Sequence, residues 1–267
     1  MPYLNKRNRA ILREMISTDF KLRYQGSALG YLWSLLRPLL MFGILYVVFV
    51  YIFNINKGVP HLGVYLLLGI VLWNFFLETT MIGMSSVVSR GDLIRKISIP
   101  RYLVVLSSSA SALINLLFNI LVVVVFAFID GIEPTLGWLL LPLIVIELFV
   151  FSTMVAFFLA ALFVRFRDVT YVWEVFTQAG FYGTPILYAV TTAGSLVPLK
   201  YQKLLLLNPM AQIIQDARHL LVTDTTVTGW MIMPLWMALI PLAIIAVISI
   251  VAVLYFKKQA KYFAENI

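Results

Sequence analysis

Long apolar runs, separated by short polar segments, organise this chain. A helix that crosses a hydrocarbon core of about 30 Å needs about 20 residues at about 1.5 Å each. Six runs meet or approach that length: residues 33–53, 64–84, 102–129, 136–164, 169–190 and 230–256. The fifth is the weakest, because Gly180, Gly183 and Pro185 interrupt its far end. The pattern predicts an all-α polytopic membrane protein with six transmembrane helices.

The segment between the fifth and sixth runs predicts helices of another kind. Asn208-Pro209 is typical of a helix start, with an N-cap followed by proline at the first helical position. Apolar residues then recur from Met210 to Leu221 with i, i+3, i+4, i+7 spacing, and polar residues occupy the other face. We expect re-entrant or interfacial helices here, including an amphipathic helix that lies on the outer membrane interface.

Composition agrees with a membrane protein and excludes a soluble domain. Hydrophobic residues make up 62% of the 267, charged residues only 12%, and the mean hydropathy is +0.96. Soluble domains carry about 25% charged residues. The absence of cysteine excludes disulfides and thiolate metal sites, and the two histidines suggest no metal site either.

The formal charge of +8 is distributed in the short segments between the apolar runs. There, basic residues orient a membrane protein, so we predict no nucleic-acid partner. With the N-terminus inside, sixteen Lys and Arg residues fall on the inner side and four on the outer side. Both termini are therefore predicted to be cytoplasmic. We expect one domain, 1–267, comprising an interfacial segment (1–31), the spans (33–256) and a tail (257–267).

Residues 19–38 lead from a basic N-terminal segment into the first apolar run. Small residues are followed there by Trp33, whose amphipathic ring suits the membrane interface. We expect the segment before them to form a cytoplasmic amphipathic helix. The residues of this N-terminal interfacial motif are Asp19, Lys21, Arg23, Tyr24, Gly26, Ser27, Gly30 and Trp33.

The inner loop between the second and third runs, residues 89–101, combines apolar and charged side chains. Asp92 can cap a short helix, and Pro100 can end it before the third run. An exposed apolar cluster on a cytoplasmic loop suits the docking of another protein, although an ordinary basic loop remains an alternative. The candidate docking residues are Gly91, Asp92, Leu93, Ile94, Arg95, Lys96, Ile97, Pro100 and Arg101.

Four stretches resemble one family of membrane proteins. The order Asp-x-Lys-x-Arg-Tyr-x-Gly-Ser-x-Leu-Gly-x-x-Trp-x-x-x-x-Pro over residues 19–38 resembles the opening of type-2 ABC exporter permeases that move polysaccharides and teichoic acids. Gly-x-Leu-Ile-x-Lys-x-x-x-Pro-Arg over residues 91–101 resembles their ATPase-coupling segment. Residues 164–169 resemble their basic-acidic turn, and residues 182–188 with Asn208-Pro209 resemble their outer re-entrant region.

The resemblance implies a homodimer of six-span subunits in the bacterial cytoplasmic membrane, with two copies of a separate nucleotide-binding ATPase below. The implied cargo is a lipid-linked polysaccharide such as O-antigen, capsule, rhamnan or teichoic acid. The sequence contains no Gly-x-x-x-x-Gly-Lys-Ser/Thr phosphate loop. We therefore expect no catalytic residue and no cofactor in this chain, with ATP and Mg²⁺ bound by the partner subunit.

Aromatic residues, 14% of the chain, cluster in the first, second and fifth runs. Aromatic rings can stack on the C–H faces of sugars and tolerate many residues in transit, as they do for nucleic-acid strands. We therefore predict a glycan conduit between two subunits, lined by these three spans. The candidate lining residues are Tyr46, Tyr51, Trp73, Phe76, Glu78, Tyr171, Tyr182 and Tyr188.

Two other functions stay open from the sequence. A type-2 permease for drug or small-lipid efflux would share the fold, but it gives no reason for an aromatic conduit. A proton-coupled carrier would instead use the three acids within the apolar runs, Glu78, Glu147 and Glu174. Acids in lipid are costly and often functional, although these could equally pack against polar helix faces or line a wet cavity.

Overall fold

Helices dominate the structure, a computed structural model. It describes residues 5–24, 30, 32–52, 59–92, 99–191 and 197–263. Within these ranges, the one β-type contact is an isolated bridge between Thr191 and Thr226. The predicted all-α class is therefore confirmed.

Eleven α-helices follow one another in the described residues and are numbered here in chain order. The first five are α1 Lys6–Tyr24, α2 Leu32–Tyr46, α3 Leu62–Ser89, α4 Arg101–Ile129 and α5 Leu141–Arg165. The others are α6 Val169–Gly183, α7 Leu199–Leu205, α8 Pro209–Leu221, α9 Gly229–Ile232, α10 Leu235–Ala238 and α11 Ile240–Gln259. Val47–Ile52 continues α2 as a π-helix, and the 3-10 helix Leu136–Leu140 leads into α5.

Four helical segments of the described residues are long and apolar enough to cross a membrane. They are Leu62–Ser89, Arg101–Ile129, Leu136–Arg165 and Leu235–Gln259. These segments coincide with the second, third, fourth and sixth apolar runs, so those four predicted spans are confirmed as long apolar helices.

The first and fifth predicted spans are not among these four segments. The first is helical from Leu32 through the π-helix to Ile52, which covers most of the predicted run. The fifth is helical only over the 15 residues of α6, about 22 Å at 1.5 Å per residue and short of a hydrocarbon core. Thr184 is extended, as expected for a residue before proline, and it ends the helix.

Helix α3 lies at the centre and packs against both α4 and α5, while α11 packs against α5. The first half of α3 is buried almost throughout, from Val64 to Phe76. Further along, Gly83 lets α5 approach closely, because a Cβ atom added there would lie only 2.7 Å from Cβ of Ala156. Small residues at such crossings are typical of helices that associate in lipid.

The serines of helix α4 suit close packing between helices in lipid. All four are buried, and each hydroxyl donates to a carbonyl of the preceding turn of α4, so no polar group is left for lipid. These residues are Ser107, Ser108, Ser109 and Ser111. Helix α1 packs against the start of α4 through Met15, Leu103 and Val104, and the Asn8 amide donates to the Tyr102 hydroxyl at 3.1 Å.

Helix α8 forms where the sequence predicts it, but its polar face is not at an aqueous interface. The Asn208 side chain accepts from the Met210 N–H at 3.0 Å, which confirms the predicted cap. The polar residues are nevertheless buried in the protein: Gln212, Gln215, Asp216 and Arg218. The prediction of an amphipathic helix lying on the outer surface is therefore wrong, because other segments supply hydrogen-bond partners for that face.

Candidate functional site

The predicted docking loop is described only at its two ends. Gly91 is buried and Asp92 is exposed directly after α3, while Leu93, Ile94, Arg95, Lys96 and Ile97 lie outside the described residues. Pro100 precedes the first residue of α4, as predicted for a residue that ends the loop. Arg101 lies over the Phe263 ring, with its Cζ atom 6.0 Å from the centroid. The end of the loop at the start of α4 therefore lies against the C-terminal segment.

An ion pair joins this loop to the N-terminal helix. The Arg90 guanidinium, just before Gly91, donates through Nη2 to the Asp19 carboxylate on α1. Its Nη1 donates to the Ser107 hydroxyl on α4 at 3.0 Å. We call Asp19, Arg90 and Ser107 the α1 junction. Because it ties three elements together, a displacement of α1 or of the loop must act on α4 or break these bonds.

The rest of the N-terminal motif spreads over the end of α1 and the start of α2. Lys21 and Trp33 are exposed, whereas Gly26, Ser27 and the side chains of Arg23 and Tyr24 lie outside the described residues. Gly30 has a φ of +48°, a left-handed conformation that L side chains rarely adopt. The glycine of the motif is thus required by the backbone between the two helices.

Two of the predicted conduit aromatics are buried within the single chain. Trp73 and Phe76 on α3 pack together with their ring centroids 5.5 Å apart. Phe76 also stacks on Phe151 of α5 at 5.4 Å, and Trp173 of α6 lies 6.0 Å from Phe76. This aromatic cluster attaches α6 to α3.

The other aromatics lie nearer the surface. Tyr171 and Tyr182 on α6 are both largely exposed, because only the face of α6 with Trp173 and Thr177 turns inward. Tyr46 is half-buried beside Phe42, at 5.4 Å between ring centroids. Tyr188 is half-buried near Arg218, and the side chain of Tyr51 lies outside the described residues. The lining of a conduit by all of these residues stays a prediction.

The three intramembrane acids do not come together. Glu78 is half-buried on α3 and accepts a hydrogen bond from the Asn115 amide at 3.0 Å. Glu147 on α5 lies near Asp216 of α8, and Glu174 is exposed on α6. The structure therefore gives no direct chain of contacts among them within the residues it describes.

A fully buried arginine at the opposite end of α3 was missed from the sequence. Arg218 is 0% exposed, and its guanidinium donates to the carbonyls of Tyr65 at 2.9 Å, of Ile186 at 2.8 Å, and of Pro185. It also donates to Oε1 of Gln215 at 3.1 Å. Its Cζ atom lies 3.8 Å from the centroid of the Tyr65 ring, a close cation–π contact.

Gln215 completes this arrangement, which we call the α8 junction (Tyr65, Pro185, Ile186, Gln215 and Arg218). Its side-chain amide donates to the carbonyls of Val190 and Val227, both at 3.0 Å, and accepts from the Tyr65 hydroxyl at 3.0 Å. Helix α8 is thereby tied to α3 and to the irregular segment that follows α6. The sequence signal for this junction was the regular polar stripe on α8. The same stripe is expected whether that face of the helix meets water or polar groups inside the protein.

Comparison with known proteins identifies relatives that span most of the chain. Residues 12–222 match the family described as ABC-2 type transporter. The chain is 33% identical to an O-antigen export system permease protein RfbA of Klebsiella pneumoniae, covering 80% of this chain and 81% of that protein. A protein of the same name from Myxococcus xanthus is 28% identical over 77% of this chain and 78% of its own.

Proposed function

Because the chain belongs to the ABC-2 type transporter family, we propose that it is the membrane subunit of an ATP-driven exporter of lipid-linked polysaccharide. The observation that carries the proposal is the likeness to O-antigen export permeases over about four-fifths of the chain. The long apolar helices support the membrane role. The cargo would be a polymer of the O-antigen, capsule, rhamnan or teichoic-acid type.

In this proposal the chain acts as a homodimer in the bacterial cytoplasmic membrane, with two copies of a separate ATPase subunit. Each copy has six spans and both termini in the cytoplasm. The sixteen basic residues assigned to the inner side support this orientation. ATP and Mg²⁺ are bound by the partner subunit, since this sequence has no phosphate loop.

In this proposal, the ATPase binds at the α1 end of the helix bundle, and its conformational change acts on the bundle there. Residues 91–101 and helix α1 would contact the partner, and the α1 junction lies between them. Because Arg90 bonds to Asp19 and to Ser107, a push on either segment is transmitted to α4. The change in helix angles would then open the transport path.

The proposed path lies between two subunits and is lined by α2, α3 and α6. Six spans enclose too little space for a hydrated glycan, so two copies are needed. Tyr171 and Tyr182 are exposed on α6 in the single chain, which makes them available to such a path. Trp73 and Phe76 would support the path from behind, since both are buried under α6.

The experiment is polymer export in the native host. Deletion of the chain should abolish surface polysaccharide and leave the lipid-linked polymer inside the cell, and the chain expressed with its ATPase should restore export. In inverted vesicles, polymer uptake should be blocked by orthovanadate and resist an uncoupler. Uncoupler-sensitive, vanadate-resistant uptake would instead favour the proton-coupled carrier, and normal surface polymer after deletion would refute the exporter.

A further inference from the structure

A pocket of about 480 Å³ lies at the end of the bundle opposite to the α1 junction. Three of the long apolar segments meet it: Leu62–Ser89 and Leu136–Arg165 begin beside it, and Arg101–Ile129 ends beside it. The end of α8 closes it through Leu220 and Leu221. Because long apolar helices end where the hydrocarbon core ends, the pocket lies at the level of the lipid headgroups. We call it the span-end pocket.

The charged side chains of the span-end pocket are acidic. Glu133 and Asp224 line it, and both residues are exposed. Asp130 adds a third carboxylate directly beside the lining, where it lies 3.0 Å from the ring of His61. None of the described residues that line the pocket is lysine or arginine. With neutral histidines the pocket therefore has a net negative charge, which favours a cationic ligand.

The two histidines of the chain, His61 and His219, both line the span-end pocket. Nδ1 of His61 lies 3.0 Å from Oδ2 of Asp130, and Nδ1 of His219 lies 3.1 Å from the carbonyl oxygen of Thr226. A carboxylate and a carbonyl only accept, so Nδ1 is the donor in both rings. The nitrogen left for a ligand is then Nε2, which is an acceptor in the neutral ring. The imidazoles thus add acceptors to those of the carboxylates.

An aromatic ring and an apolar surface adjoin these acceptors. Trp138 lines the pocket, and its ring centroid lies 5.6 Å from that of Phe128. The face of an indole ring attracts a cation. Next to the lining residues in sequence, Phe128, Ile129, Leu136 and Leu139 are all exposed, as expected for side chains that face acyl chains. A ligand with a cationic end and an apolar part would match both surfaces.

The donor set decides the kind of cation. Among the described residues, no three His, Asp or Glu side chains are grouped so that they could hold a metal ion, which favours an organic cation. A neutral hydroxyl could donate to the same acceptors, but it gains little from the surplus negative charge. A trimethylammonium group carries the charge and has no N–H to donate. A primary ammonium has both the charge and three donors.

We propose that the span-end pocket binds the headgroup of a phospholipid with a primary ammonium, such as phosphatidylethanolamine. The ammonium donates to Glu133, Asp224 and the Nε2 atoms of the histidines, beside the ring of Trp138. The acyl chains lie along the exposed apolar side chains at the end of α4 and the start of α5. This inference goes beyond polysaccharide export, since it depends only on the membrane location of the chain.

The test uses the full chain in nanodiscs made mainly of phosphatidylcholine. The probe is phosphatidylethanolamine with a photoreactive acyl chain, and the reference is phosphatidylcholine with the same chain. Labelling of residues 126–140, mapped by peptide mass spectrometry, is divided by labelling of the lipid-facing helix α11. We expect this ratio to be several-fold higher for the probe than for the reference. Unlabelled phosphatidylethanolamine should displace the probe, and free ethanolamine should not, because it lacks the acyl chains.

Variants separate recognition of the ammonium from general contact with lipid. Glu133→Gln together with Asp224→Asn should reduce the preference for the probe about tenfold, and Glu133→Gln alone about threefold. Trp138→Leu should weaken labelling by both lipids to a similar extent, because the ring attracts either cation. Asp168→Asn removes an exposed carboxylate at the other end of α5, so labelling of residues 126–140 should not change.

The remaining outcomes would overturn the proposal. Equal labelling of residues 126–140 by the two lipids, or an unchanged preference in the double variant, would mean that the pocket does not recognise an ammonium headgroup. Displacement by free ethanolamine as effective as by the lipid would assign the pocket to a soluble amine instead. Thermal unfolding in phosphatidylcholine alone checks that each variant is folded. Polymer export is tested separately by deletion of the chain, so its failure would leave these results unchanged.

Discussion

The two ends of α3 each hold an arginine, in opposite ways. Arg218 of the α8 junction is fully buried and donates only to neutral groups, three of them backbone carbonyls. Arg90 of the α1 junction is partly exposed and pairs with a carboxylate. Residues 65 and 90 are about 37 Å apart along the helix at about 1.5 Å per residue. The two arginine sites thus differ in burial and in the charge of their hydrogen-bond partners.

The difference follows from the partners. Backbone carbonyls are fixed by their own segments, so Arg218 cannot leave without exposing several buried acceptors and stranding a buried charge. An ion pair whose side chains are 16% and 22% exposed can exchange its partner for water at a smaller cost than a fully buried charge can. The α8 junction therefore suits a fixed anchor, and the α1 junction suits a joint that opens and closes. Four changes test this contrast, ordered by expected loss of stability.

Arg218→Met should have the largest effect. It keeps the approximate length of the side chain but leaves the carbonyls of Tyr65, Pro185 and Ile186 without their donor. We expect a loss of about 3–5 kcal/mol in the free energy of unfolding, because several buried acceptors lose their donor together. The measurement is thermal unfolding in nanodiscs, and the control is Arg13→Met on the exposed side of α1. If both variants unfold like the parent chain, Arg218 is not an anchor.

Gly69→Ala should have the next largest effect, through the same site. A Cβ atom at Gly69 would overlap Nη2 of Arg218 and lie 3.1 Å from its Cζ. Alanine favours a helix over glycine by about 1 kcal/mol, but overpacking costs about 1–3 kcal/mol, so we expect a net loss. In Gly43→Ala on α2, the added Cβ would meet no other described part of the chain within 4 Å beyond the backbone of α2 itself, and that variant should be stabilised. Equal shifts in melting temperature for both would contradict the close approach.

Asp216, beside the α8 junction, should make stability depend on pH. Burial is the main cause that raises the pKa of Asp216 to about 6 from its ordinary 3.8. The folded state therefore binds the proton more tightly than the unfolded state. Stability contributed by this group is greatest below the unfolded pKa and is lost as the pH rises through the folded pKa. Between pH 5 and pH 7 we expect a loss of about 1 kcal/mol.

The variant that isolates this effect is Asp216→Asn, which keeps an acceptor for the Trp230 N–H that now bonds at 3.0 Å. Its unfolding temperature should lack this component of the pH dependence. His219 and Glu147 also interact with Asp216, so only the difference between parent and variant is diagnostic. Asp224→Asn, on an exposed turn, should behave like the parent. If Asp216→Asn has the same pH dependence of unfolding temperature as the parent chain, the proton taken up on folding binds to another group.

The contrast between the two junctions was only partly predictable from the sequence. Hydrophobic run length located α3, α4, α5 and α11, because a membrane imposes one length on every crossing helix. Asn208-Pro209 located the start of α8, because capping is a local matter. The burial of Arg218 depends on the carbonyls of Ile186 and Pro185, which are 32 and 33 residues away in sequence. It also depends on the carbonyl of Tyr65, which is 153 residues away. No local sequence pattern encodes such distant contacts.

Aromatic content likewise located the right elements without assigning the side chains. Trp73 and Phe76 are in the core of the chain, whereas Tyr171 and Tyr182 are on its surface. All four belong to runs rich in aromatic residues, and only the packing of α6 on α3 separates the buried side chains from the exposed ones.

The α1 junction should show the smallest loss of stability and a clear loss of function. Asp19→Arg and Arg90→Asp each place like charges in contact, yet water reaches both partners, whose side chains are 16% and 22% exposed. We therefore expect each variant to lose about 1 kcal/mol or less and to assemble with the ATPase. Export should fall in both, since α1 and the loop no longer move as one unit.

The double variant Asp19→Arg with Arg90→Asp restores opposite charges across the same gap. Ser107 can serve either charge, because its hydroxyl accepts from arginine and donates to a carboxylate. Export by the double variant should therefore exceed that of either single variant, while Lys200→Asp, an exposed charge change on α7, should export normally. Export is measured as surface polymer per assembled complex. Normal export by the single reversals, or no recovery in the double variant, would mean that the ion pair only holds α1 in place.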